Sequence, residues 1–120
     1  MASVLLHTGT SEQVRQALRD IFAENLYRPG VSQGPDRLVF ERPGSSMDEI
    51  KYGGFFENNI WVRVKVNISR FGDTDHLVEA DAYIVRNHDE GFFEEEQKLY
   101  KISKGPYQKL LNEVEKRVTP

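Results

Sequence analysis

Ile60-Trp61-Val62-Arg63-Val64-Lys65-Val66-Asn67-Ile68-Ser69 and, after Phe71-Gly72-Asp73-Thr74-Asp75, Val78-Glu79-Ala80-Asp81-Ala82-Tyr83-Ile84-Val85 decide the fold of this chain. Apolar residues take every second position in both stretches, and strand side chains point alternately to opposite faces. The two runs therefore form a long antiparallel hairpin with one dry face and one mostly polar face. Val62, Val64, Val66, Val78, Ala80, Ala82 and Ile84 make up the dry face. Pairing symmetric about Asp73 sets Lys65 opposite Asp81 and Arg63 opposite Tyr83, cross-strand pairs that hold register and keep the outer face soluble.

Upstream, Val4 to His7 predicts a short first strand. Thr10 and Gln13 form a capping box that opens a helix, with Val14, Ala17, Leu18, Ile21 and Phe22 as its apolar stripe. Pro29 and Gly30 end it, near Leu26. Arg37 to Arg42 predicts a strand with Leu38 and Phe40 inward. Residues 43–58 stay undecided between a long loop and an irregular edge strand. Downstream, Phe92, Leu99 and Ile102 share a helical face and Glu94 pairs with Lys98 at i,i+4, which predicts a short helix over 92–102. Pro106 sits in the first turn of a final helix striped by Tyr107, Leu110, Leu111, Val114 and Val118. The expected order is β-α-β-(β)-β-β-(α)-α. Both main helices lie on the one apolar face of an antiparallel sheet of four or five strands, a two-layer α+β sandwich forming a single domain over residues 1–120.

Composition removes several functions. With 16 Lys+Arg against 19 Asp+Glu the formal charge is −3, so no surplus of cations is present to engage nucleic acid. No apolar run reaches the roughly 20 residues of a membrane span. Met1 to His7 lacks the basic n-region of a secretory leader, which implies a cytoplasmic protein, or a periplasmic one if a leader has been removed. Cysteine is absent, so thiolate catalysis, disulfides and cysteine-ligated zinc are excluded. His7, His76 and His88 show no metal-ligand spacing. His76 lies near Asp73 and Asp75, a loose metal or proton-transfer arrangement that reads first as a solvated turn. Neither a nucleophile elbow nor a phosphate loop is present, and no cofactor or metal is expected. Asp89, Glu90, Glu94, Glu95 and Glu96 form an acidic patch suited to a cation or a basic partner.

The aromatics remain. Trp61 and Tyr83 have the parity of the polar face, where Arg63 and Lys65 also lie, and Phe55 and Phe56 belong to the Gly-containing segment just before. Exposed aromatics beside cations can stack on a ligand or partner, so these six residues are the candidate site.

Val14 to Leu18 (VRQAL) in the first helix and Tyr107 to Val114 (YQKLLNEV) in the last bracket the strand meander. That order resembles the helix-grip and TATA-binding-protein-like group, which includes START/Bet v 1-like proteins and the repeats of the outer-membrane assembly lipoprotein BamC. The resemblance implies a bacterial-type domain that binds lipids, small molecules or proteins, and it transfers no catalytic residue. The leading expectation is a non-enzymatic domain that binds another protein or a small apolar ligand. A small hydrolase or isomerase, with a pocket between sheet and C-terminal helix using Tyr83, Asp81 or Glu79, is the second. A structural module that pairs as a homodimer is the third.

Overall fold

The structure, a computed structural model, describes residues 1–44, 60–98 and 104–119, with Lys104 described by its backbone alone. Phe55, Phe56 and the undecided segment beyond Gly44 lie outside these residues. The hairpin forms with the expected register. β4 (Trp61–Phe71) and β5 (Asp75–Arg86) pair along their whole length, with Lys65 opposite Asp81 and Arg63 opposite Tyr83. Gly72 closes the turn at φ 65°, a left-handed conformation costly for any residue with a Cβ.

β1 (Ala2–Leu6) lies on the far side of β5, β3 (Arg37–Pro43) pairs with β4, and the two-residue β2 (Arg28–Pro29) flanks β3. β1 starts two residues earlier than the periodicity suggested. Ala2 and Leu6 share the inward parity of the core, and His7 falls outside the strand.

One expectation fails. Within 92–102 there is no helix among the described residues. Gly91–Phe93 make a single 3-10 turn and Glu95–Lys98 form β6, which pairs with Tyr83–Arg86 of β5. The reason lies in β5 itself. Its first half is covered by β1, which reaches only from His76 to Ala80. The second half of that edge still carries backbone donors and acceptors, and β6 satisfies them. Backbone pairing thus outweighs a weak helical stripe whose first member, Phe92, stays exposed.

α1 (Ser11–Glu24) begins at the expected capping box, with Gln13 N–H donating to Thr10 Oγ1 at 3.2 Å and Thr10 N–H to Gln13 Oε1 at 2.8 Å. Its stripe meets the sheet through Phe22, which stacks on Phe40 at 4.3 Å. α2 (Lys104–Val118) packs beside α1 and over β1, adding Tyr107, Leu110, Leu111 and Val114 to the same core. Both helices cover one face, as a two-layer α+β sandwich requires.

The edge strand β1 is blocked. The Gln108 amide on α2 accepts from Ser3 N–H at 3.1 Å and donates to Ser3 C=O at 2.7 Å, occupying the positions a further strand would use. On the other edge β2 is two residues long and includes Pro29.

Candidate functional site

With both helices on the inner face, the outer face must be finished by other means. Odd-numbered residues of β3, β4 and β5 point there, and β6 adds Glu96 and Lys98 through its pairing with Val85 and Tyr83. Val39 and Val85 are buried on this side and stand apart from the main core.

Arg63 is the hub. It donates from Nε to Glu41 Oε2 at 2.6 Å, from Nη1 to Glu96 Oε2 at 2.8 Å and from Nη2 to Glu94 Oε1 at 3.2 Å. Lys65 Nζ donates to Glu96 Oε1 at 2.6 Å and rests over the Tyr83 ring, 4.4 Å from its centroid. Burial works against each charge in the cluster, but the hydrogen bonds outweigh it. Arg63 is held protonated more firmly than usual by Glu96, Glu94 and Glu41. Glu94 is held below the ordinary carboxylate range by Arg63 and the Asp89 N–H, and Glu96 by Lys65 and Arg63.

Glu41 also accepts from His88 Nε2 at 3.2 Å, and both residues are buried. The His88 ring stacks on Trp61 at 4.0 Å and 12°, while the Arg28 guanidinium lies 4.1 Å from the Trp61 centroid. Two groups so close to one centroid occupy opposite faces of the indole. Trp61 is therefore a spacer between a cation and an imidazole.

The segment joining β5 to β6 explains the position of the acidic residues. Asn87, Asp89 and Gly91 are all left-handed, at φ 54°, 63° and 54°, and these are residue types that tolerate the conformation. Asn87 Nδ2 donates to Phe93 C=O at 3.1 Å and winds the loop on itself. The winding returns Glu94 to Arg63 and pushes Phe92 and Phe93 outward, at 99% and 71% exposure. Between this loop and the residues that follow β2 lies a cleft of about 520 Å³ floored by β3 and β4, lined by Val31, Val39, Glu41, Arg63, Glu94 and Glu96 among others.

Of the six site residues expected from sequence, Trp61, Arg63, Lys65 and Tyr83 share this outer face, and Phe55 and Phe56 lie outside the described residues. Glu41, His88, Glu94, Glu96, Phe92 and Phe93 were missed as members. The acidic run was visible, but its docking onto Arg63 spans 31 and 33 residues of sequence and has no local signature. Tyr83, Asp81 and Glu79 lie on the side of the sheet away from α2, so they line no pocket beneath that helix.

A second cavity, about 530 Å³, opens at the other end of the molecule between the β4–β5 turn and the start of α1. His76 meets Ser11 there, Nε2 to Oγ at 3.0 Å, rather than Asp73 or Asp75; Asp75 pairs instead with His7 at 3.2 Å. His76 Nδ1 is buried with no hydrogen-bond partner among the described residues. Among the described residues no third group orients that imidazole as it would be in a serine hydrolase.

No family model, curated protein or solved structure matches this chain.

Proposed function

We propose that the domain is a non-enzymatic binding module that receives a basic, apolar-bearing segment of another protein on the outer-face cleft and its bordering loop. One observation carries the reading. Phe92 stands wholly and Phe93 largely in water, their rings 6.2 Å apart, inside a run of five carboxylates from Asp89 to Glu96. A large aromatic left wet forgoes most of the stabilisation its burial would bring, and adjacent exposed aromatics mark contact surfaces. The neighbouring carboxylates select Lys or Arg beside the partner's apolar residues.

The cleft lining decides between partners. Val31 and Val39 are its aliphatic residues and most of the rest is charged, which suits a peptide better than a small apolar ligand. A second copy of the chain would bring the same acidic loop to a twofold contact and be repelled.

The test is fluorescence anisotropy with short labelled peptides alternating Lys or Arg with Leu or Phe, against charge-reversed counterparts. Phe92→Ser with Phe93→Ser keeps every charge and removes only exposed rings, so the melting temperature should not move. The basic-apolar peptides should bind the parent and lose at least tenfold in the double variant. Equal binding by parent and variant would show electrostatic adhesion alone and refute the reading.

A further inference from the structure

The geometry points to a divalent transition-metal site at the rim of this cleft, with His88 Nδ1, Asp89 and Glu94 as its protein ligands. These three residues each bring one ligand atom to within 4.8 Å of the others. His88 Nδ1 and Asp89 Oδ2 are 3.4 Å apart. Two ligands bound tetrahedrally at about 2.0–2.1 Å from zinc are separated by about 3.3–3.4 Å, so this edge already has the spacing an ion needs.

His88 is prepared for the role by groups outside the triad. Its other nitrogen, Nε2, faces Glu41 Oε2 at 3.2 Å, and Trp61 holds the ring plane by stacking. A metal-bound imidazole typically gives its remaining N–H to a carboxylate, which fixes the tautomer and turns the lone pair to the ion. Here the heavy atoms are so arranged: Glu41 Oε2 faces Nε2 and Asp89 Oδ2 faces Nδ1.

Charge supports the same conclusion. Among the described residues Glu41, Glu94 and Glu96 gather on Arg63 and Lys65 and Asp89 stands beside them, a concentration of carboxylates that favours a cation. Glu94 serves both groups. Its Oε1 accepts from Arg63 and from the Asp89 N–H at 3.3 Å, and a carboxylate has about four lone-pair positions to share. Asp89 and Glu94 also line the cleft, so an ion held there keeps open positions for water or for a donor from a bound partner. One imidazole with two carboxylates is a donor set for Zn2+ or Mn2+ rather than for Mg2+ or a copper(I) ion.

The inference is independent of the peptide reading, because it concerns the metal alone. Isothermal titration of the full chain with ZnCl2, MnCl2 and MgCl2 tests it, beside Asp89→Asn, Glu41→Gln and, as a background control, His7→Ala. Asp89 is 84% exposed at its side chain and Asn tolerates the left-handed backbone, so Asp89→Asn should fold with an unchanged metal-free melting temperature. The parent should bind one equivalent of Zn2+, and more weakly Mn2+. Asp89→Asn should lose at least tenfold in affinity, Glu41→Gln about 10–100-fold, and His7→Ala nothing. Absence of binding at about 0.1 mM Zn2+, unchanged affinity in Asp89→Asn, loss in His7→Ala, or Mg2+ binding as tight as Zn2+ would each overturn the site.

Discussion

Replacing Arg63 with Met keeps the aliphatic stem and removes the charge, which isolates the electrostatic part of its role. Three carboxylates lose their common donor, and Glu41 is the most buried of them. Removing one partner of a fully buried pair typically costs 3–5 kcal/mol. Glu94 and Glu96 keep about a quarter of their side-chain surface in water, at 25% and 28% exposure, so solvent recovers part of that loss. The expected destabilisation is about 2–4 kcal/mol, or about 8–16 °C in melting temperature for a domain of this size. Glu41→Gln in the same background removes the stranded buried charge. The double variant should therefore be more stable than the sum of the single effects allows, by about 0.5–3 kcal/mol. Urea titration with EDTA present gives all four stabilities. The pH dependence adds a sign. Glu94 and Glu96 have lowered folded values, so their stabilisation is complete above the unfolded value of about 4.3 and disappears as pH falls through the folded one. The gap between parent and Arg63→Met should narrow below that pH. Additive single effects, or a gap that widens in acid, would show that Arg63 does not hold the network together.

Two further expectations concern the core beneath the site. Val64 is fully buried on the inner face, so Val64→Asp should abolish cooperative unfolding in a thermal melt, whereas its neighbour Lys65→Ala should cost under about 1 kcal/mol; similar costs for the two would contradict the register. Leu111 is equally inaccessible in the α2 stripe, and Leu111→Ala should cost about 2–5 kcal/mol by chemical denaturation, with a negligible change refuting the packing of α2 against the core.

The fold was legible where pattern and period agree. The alternation from Ile60 to Val85 is long enough that a slip of one residue would expose every valine, and the observed pairing respects it. Thr10 with Gln13, and Tyr107 to Val118, announce helices by local chemistry alone. The stretch after β5 was misread because the need it answers, an uncovered half of a neighbouring edge, is not local to its own residues. The outer face was half legible. Parity assigns Trp61, Arg63, Lys65 and Tyr83 to one side. Nothing short of the folded β5–β6 loop brings His88 onto Trp61 or Glu94 to Arg63. The acidic run therefore looked like a solvated surface when part of it is the counter-charge of a half-buried arginine.

Stability alone does not explain that network. Val39 and Val85 show that the outer face can bury aliphatic groups, yet Glu41 and His88 are also buried there, each needing partners that a valine or leucine would not. Ion pairs taken out of water rarely outperform well-packed apolar residues of similar volume, because desolvation offsets most of their attraction. A sheet that needed only a cover on this side would be served as well by a third layer or by aliphatic side chains. What charged and aromatic groups supply instead is direction: a guanidinium that fixes three glutamates, an indole that fixes an imidazole, and a wound loop that holds two phenylalanines in water. The proposed binding surface would draw on these properties, and they separate cleanly in mutation. Removing Phe92 and Phe93 should leave stability unchanged, whereas removing Arg63 should lower it, which makes the rim of the cleft, rather than its hub, the place to test for function.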